Sequence, residues 1–252
     1  MSEATNNGGD PAAVTSYGVA EDGVALIRLE RPQARNAINT QMLGELLEHL
    51  AVARGDETVR VVVFSSSDHM GLSAGADVRE ELDHDGHVRR MEMFSDLYDT
   101  IVAFPKPTVA ACHGDVVGGG AEISIACDLR VGGSNLRMRF PGAALGMPVG
   151  PARLVTLCGL AAAKYLLLTS RTIGPDEALR LGLVNRVAPA AATEESALAM
   201  AASVAAHPPE AVARLKRMLH EWDDIEGRSA AEGVGQVEHV RGLGFSYSKP
   251  AE

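Results

Sequence analysis

Basic residues are in short supply. The 252-residue chain carries 23 Lys and Arg against 33 Asp and Glu, a formal net charge of −10. Nucleic acids and anionic membranes are bound through basic surface, so neither is expected as a general partner. One anionic ligand at a local basic patch remains compatible with this balance. Aromatic residues are also few, at 4%. With 46% hydrophobic residues, a large core must be built mostly from Ala, Val, Leu and Ile. The three cysteines, Cys112, Cys127 and Cys158, are far apart and show no C-x-x-C spacing. Their apolar surroundings suit buried thiols in a reducing compartment. No apolar run approaches the ~20 residues needed to span a bilayer. The first sixteen residues, "MSEATNNGGDPAAVTS", are polar and acidic, unlike a signal or transit peptide. They predict a disordered leader, and a cytoplasmic location is expected.

What is present alternates. "GVALIRLE" (23–30) reads as a strand, and "VRVVVFSS" (59–66) and "PTVAACHG" (107–114) as fully apolar strands of a parallel sheet. Between them, "NTQMLGELLEHLAVA" (39–53) has Met42, Leu43, Leu46, Leu47 and Leu50 at helical spacing, with Asn39 or Thr40 as cap. A mostly polar helical stretch is expected to end near Phe104. After Pro148 the chain reads as nearly all helix. The fold class is therefore α/β with a C-terminal helical region.

"GDVVGGGAEISIACD" (114–128) puts three glycines immediately before Ala121 and Glu122. A turn rarely needs three. A backbone N–H that must face a ligand with no side chain in the way does need them, and the first N–H groups of a helix lack intrahelical partners. Such groups bind an anion or a developing oxyanion. The pattern is not a dinucleotide fingerprint, and the lysine-bearing phosphate loop is absent. A second turn, "GLSAGAD" (71–77), follows a strand and precedes a helical-looking "VREEL". The two turns could each offer one N–H to the same oxygen. The alternative for Glu122 is a helix-start acid meeting the macrodipole.

Other signals compete. "GLSAG" (71–75) fits the nucleophile elbow, with Ser73 attacking and Asp128 and His220 as conceivable partners. An elbow serine stands at a strand end, however, and "SSSDHM" separates Ser73 from its strand. "DHDGH" (83–87) offers metal-type ligands without a second ligand pair; a charged surface loop explains it as well. His113 could line a pocket or be a hydrogen-bonded core histidine. "RLKRM" (214–218) reads as the solvated face of a helix.

Four segments together resemble the crotonase, or enoyl-CoA hydratase/isomerase, superfamily. They are "LERPQARNAIN" (29–39), "GLSAGADV" (71–78), "GDVVGGGAEISIACDLRV" (114–131) and "TSRTIGPDEALRLGLVNRV" (169–187). The resemblance implies a crotonase-type spiral of β-β-α units over 17–190, after a leader of 1–16. A helical trimerisation region over 191–248 would assemble a homotrimer or a dimer of trimers. It implies an acyl-CoA thioester as partner and no cofactor beyond the coenzyme A of the substrate. By motif matching, the oxyanion-hole N–H groups belong to Ala76 and Gly119, and Glu122 is the catalytic acid/base. Substrate binding falls to Arg35, Ala37, Ala74, Gly75, Asp77, Val78, Arg79, Gly118 and Gly142. Arg35 and Arg79 would meet the polyanionic coenzyme.

The chain departs from the family pattern at one wall. Hydratases of the family hold water between two glutamates. The second would fall twenty residues after Glu122, where "MRFPGAALG" (138–146) has Gly142. The next segment, "MPVGPARL" (147–154), is about three residues short of the usual form. Asp115, His113 and Arg139 are possible stand-ins, and Gly142 should leave extra room. One-carboxylate chemistry stays open to Glu122: proton transfer at carbon α or γ, hydrolysis of the thioester, or assisted decarboxylation. So does acyl-CoA binding without turnover.

Overall fold

The computed structural model describes residues 12–243. The leader before residue 12, the tail from Lys249 to Glu252, and residues 244–248 of the expected C-terminal region lie outside the described residues. Strand β1 (Thr15–Val19) begins inside the stretch expected to be leader. It is held because buried Thr15 donates its hydroxyl to Glu45 at 2.6 Å. Glu45 lies on helix α1 (Thr40–Gly55), whose cap is Asn39: its side-chain oxygen accepts the Met42 N–H at 3.0 Å. The alternating "VALIRL" forms β2 (Val24–Leu29), and the fully buried β3 (Val61–Ser66) pairs parallel to it.

The chain then repeats one move. It lays a strand in a large sheet, a short extended piece in a second layer, and then a helix. After β3, Gly71 and Ser73 bridge to Gly114 and Val116 of the second layer, and helix α2 (His84–Val102) follows. Next come β4 (Thr108–Cys112), β5 (Asp115–Val117) and α3 (Gly119–Ala126). The third turn is β6 (Leu129–Gly133), β7 (Arg137–Arg139) and α4 (Pro151–Thr169). After β8 (Thr172–Ile173), α5 (Pro175–Arg180) and β9 (Arg186–Ala188), the chain is helical: α6 (Thr193–Ala205), α7 (Pro209–Asp223) and α8 (Ile225–Leu243). The large sheet has the order β1-β2-β3-β4-β6-β9 and the small one β5-β7-β8. This is the expected spiral of β-β-α units with a C-terminal helical region. The last helix, α8, lies along α2 and also packs on α4.

Four expectations change. "VREEL" is not a helix. The Asp77 carboxylate takes the Arg79 N–H at 3.0 Å and turns the chain, and α2 starts only where Asp83 caps it through the Gly86 N–H at 2.7 Å. "DHDGH" is therefore a helix start, and no group of three His, Cys, Asp or Glu among the described residues could hold a metal. α4, at 19 residues, is long and apolar enough to cross a membrane by composition. It nevertheless breaks at Gly159 (φ 75°), carries Arg153 buried, and anchors in the core through Leu154, Ala163 and Leu166. Finally, Cys158 is only half-buried, whereas Cys112 and Cys127 are fully enclosed. Burial pushes the Cys112 thiol up to about 12, so it stays protonated.

Candidate active site

Two turns meet at the junction of the layers, one ending at Ala76 and the other at Gly119. Ala76 does not start a helix, contrary to expectation. It sits in an extended bridge to Ile38, which donates to Gly75 O and accepts from Asp77 N, both at 2.8 Å. Groups of successive residues in an extended chain point to opposite sides. The Ala76 N–H therefore faces away from Ile38. Gly119 does open a helix. Its N–H precedes the first bond of α3, Glu122 N–H to Gly118 O at 2.8 Å, and so has no intrahelical acceptor. Gly118 makes the turn with φ 51° and ψ −118°, backbone that favours glycine. The two turns touch: a Cβ on Gly75 would lie 3.0 Å from Val117 O and 3.6 Å from the Gly119 nitrogen. Ala76 and Gly119 both line one cavity of about 320 Å³.

Glu122 lies one helical turn behind that opening, on a helix whose eight residues are all buried. Its carboxylate is 1% exposed. Oε2 accepts from Arg153 at 2.9 Å, while Oε1 has no protein partner among the described residues. Gly150 lies against Oε1: a Cβ there would stand 2.6 Å from it, and Gly150 has φ 101°. Arg153 also donates to Glu232 at 2.7 Å and to Ser229 at 2.8 Å, and its guanidinium lies 4.9 Å from the Tyr98 ring centroid. Glu232 in turn accepts the Gly150 and Ala152 N–H groups at 2.8 and 2.6 Å. Burial pushes the Glu122 carboxyl up to about 7; Arg153 opposes the rise and Glu232 adds to it. A carboxyl poised there can both take and return a proton at neutral pH.

The wall at Gly142 is filled, not open. Gly142 lines the cavity, but a Cβ on it would lie 2.5 Å from Met147 O and 3.1 Å from Val149 Cγ1. The short segment folds back through a single 3-10 turn (Ala143–Leu145), closed by Met147 N–H to Gly142 O at 2.8 Å. That brings Val149 into the space expected to be vacant. Among the described residues lining the cavity, Glu122 is the only carboxylate; the other ionisable groups are His87, Arg90, Tyr98 and Arg139. Of the conceived stand-ins, Arg139 lines the cavity. His113 does not: it bonds Asp68 O at 2.8 Å. Asp115 pairs with Arg35 and Arg137 instead. Gly142→Glu is consequently expected to bring no gain in crotonyl-CoA hydration. Overpacking should cost about 1–3 kcal/mol, readable as a lower urea midpoint; a variant that hydrates tenfold faster would overturn this account of the wall.

Comparison with known proteins matches this geometry to one family. Residues 19–233 fit the description enoyl-CoA hydratase/isomerase. The chain belongs to that family. The human enoyl-CoA hydratase domain-containing protein 2, mitochondrial, is 34% identical, over 92% of this chain and 84% of that one. The 2,3-dehydroadipyl-CoA hydratase of Escherichia coli K12 is 33% identical over 80% of each. Among solved structures, the enoyl-CoA hydratase of Bacillus anthracis superposes with a TM-score of 0.81 at 27% identity, covering 90% of both chains. An enoyl-CoA hydratase/isomerase from Xanthobacter autotrophicus Py2 gives 0.83 at 25%, covering 91% of this chain and 88% of that one.

Within this acyl-CoA family frame, the expected substrate contacts divide. Ala74, Gly75, Val78, Gly118 and Gly142 line the cavity. Ala37, Asp77, Arg35 and Arg79 do not. Asp77 and the Ala37 carbonyl hold Arg31, at 2.9 and 2.5 Å, so both support the bend. Arg35, exposed and ion-paired with Asp115, and Arg79, also exposed, stand outside the cavity. The elbow reading of Ser73 fails on geometry: its buried hydroxyl donates to Asn36 O at 2.6 Å. Asp128 and His220 do meet, at 3.4 Å, but with Lys216, in a different pocket. Lys216 of "RLKRM" is thus tied down at 2.7 Å from Asp128 rather than solvated. Arg153, Glu232 and Tyr98 are site residues that sequence reasoning missed. Arg153 could have been flagged by its place in the shortened segment; Glu232 gave no signal.

Proposed function

We propose that the cavity takes an enoyl-CoA or closely related acyl-CoA thioester, with its carbonyl oxygen against the N–H groups of Ala76 and Gly119. Glu122 then moves a proton at the acyl chain or at an attacking water through Oε1. Two fixed donors stabilise the negative charge that develops on the thioester oxygen. The observation that carries this reading is the single buried carboxylate lining the cavity with Ala76 and Gly119, its Oε2 held by Arg153 and its Oε1 without a protein partner among the described residues. Because one proton carrier is present where a two-glutamate hydratase has two, double-bond isomerisation and slow hydration are favoured over fast hydration. The walls, with Met91, Phe94, Phe140, Leu145 and Val149, suit an apolar acyl group. Arg35 and Arg79 outside the cavity suit the coenzyme phosphates. No further cofactor is needed for this chemistry. Exposed Leu215, Leu219 and Trp222 on α7 support a homotrimer or dimer of trimers; the acidic balance argues against nucleic-acid or membrane partners, and the buried free thiols Cys112 and Cys127 support a cytoplasmic location.

The test is incubation with crotonyl-CoA and with a β,γ-enoyl-CoA, followed by mass analysis. Isomerisation leaves the mass unchanged but moves the double bond, hydration adds one water, and hydrolysis frees the thiol. The expected outcome is isomerisation faster than hydration. An unmodified protein that hydrates crotonyl-CoA at an ordinary enzyme rate of ~10–10³ per second would refute the one-carrier reading. If neither compound is bound, the assignment of the cavity fails altogether.

A further inference from the structure

We infer that Arg153 and Glu232 are positioning residues for Glu122: one guanidinium shared by two buried carboxylates fixes which oxygen of Glu122 is left without a partner and how tightly it holds its proton. This rests on Glu122 being the proton carrier.

The geometry is a linked arrangement spanning four helices. Arg153, on α4, is 2% exposed and reaches Glu122 of α3 and Glu232 of α8 through the same Nη2. Its Nη1 is occupied by Ser229, whose hydroxyl donates to Asp99 of α2 at 2.6 Å. Both Nη atoms are thereby engaged, while Nε has no hydrogen-bond partner among the described residues. Glu122 must present Oε2 to it, which leaves Oε1 as the reactive oxygen. Glu232 does two jobs: it draws on the charge of Arg153, and it binds the Gly150 and Ala152 N–H groups that shape the floor under Oε1.

The charge balance follows. Two carboxylates against one guanidinium leave the group one positive charge short. Glu122, with an oxygen unbound, is where a proton is most easily accommodated. The groups facing it are few: Arg153 from α4, Glu232 and neutral Gln236 from α8, and Tyr98 from α2, with Asp99 behind Ser229. His87, Arg90 and Arg139 line the same cavity. The C-terminal helix thus tunes the proton carrier through Glu232, one to two turns before its cavity-lining Gln236 and Val240.

The experiment titrates the full-length protein labelled with carboxyl-13C glutamate, by NMR, the Glu122 signal being the one lost in Glu122→Gln. The wild-type midpoint is expected near the value of about 7 that burial gives it. Glu232→Gln removes the competing charge and keeps an acceptor for one of the two N–H groups, which bind different oxygens of Glu232. It should lower the midpoint by about one pH unit or more, and the acid limb of kcat/KM should move with it. Arg153→Met should raise the midpoint, and Arg153→Lys should restore part of the shift. A purely structural role would lower the melting temperature and leave the midpoint in place; an unmoved midpoint in Glu232→Gln, or one that rises, overturns the inference. If Arg153→Met does not fold, Glu232→Gln and Arg153→Lys still decide. Full turnover by Glu122→Gln would instead refute the proton-carrier reading, and the NMR midpoints would still report the coupling independently.

Discussion

Replacing Glu122 by glutamine should lower turnover of an enoyl-CoA by about 100-fold or more while acyl-CoA binding is nearly kept. The magnitude is that of a positioned acid/base, about 10²–10⁴ in rate. Glutamine keeps the size of the side chain and an oxygen that can accept from Arg153, 2.9 Å away in the native site. Only the proton affinity goes. Stability should move the other way. The folded-state pKa of Glu122, about 7, lies above its ordinary value of 4.5, so folding takes up a proton between these values. Native stability therefore falls as pH rises from about 4.5 to 7 and stays reduced above that. Glutamine cannot ionise and escapes this loss, which amounts to a few kcal/mol at most. At pH 8 the variant should melt no lower than the native protein. Steady-state kinetics and calorimetry at pH 5 and pH 8 check both halves. A variant with native turnover would make Glu122 a helix-start acid and nothing more.

Gly119→Pro should reduce turnover by a factor of about 10²–10³, the usual effect of removing one oxyanion donor. Proline is well tolerated at the first position of a helix, because the N–H it lacks has no helical acceptor there. The ring does meet neighbours. A Cβ on Gly119 would lie 3.1 Å from Phe94 Cε1, 3.2 Å from Ile38 Cδ1 and 3.4 Å from the Tyr98 hydroxyl. Gly119→Ala separates the two effects, since it adds the same Cβ and keeps the donor. The ratio of kcat between the alanine and proline variants then reports the loss of the N–H together with the ring Cδ that takes its place. Equal rates in the two variants, both folded by circular dichroism, would remove Gly119 from the site.

Much of this was legible from short-range patterns. The apolar runs became the buried strands, Asn39 capped α1, and the glycines before Glu122 marked the α3 opening, since each reflects local steric or hydrogen-bonding demands. The misses depend on what the rest of the chain does. "VREEL" has helix-forming residues, yet Asp77 and Asp83 bind backbone N–H groups on either side and hold it as a turn. Gly142 implied room only as long as its neighbours were out of view; a shorter segment pulls Val149 and the Met147 carbonyl into that room. Arg153 and Glu232 are 79 residues apart in sequence, and α8, with its "AAEGVG", has no sharp apolar stripe. Nothing local says that its one inward acid ends beside Glu122.

The complete burial of α3 sets where change can enter this molecule. All eight of its residues pack against neighbours, so almost any replacement there disturbs the core as well as the chemistry. The proton carrier and its donor turn are thus fixed together, like a mounted part. The segment from Phe140 to Val149 and the inner face of α8 border the same cavity through Phe140, Leu145, Val149, Gln236 and Val240. Of these, Leu145 and Val149 are the less deeply buried. New acyl preferences in such a chain would arise from the walls, while the reacting end stays as it is.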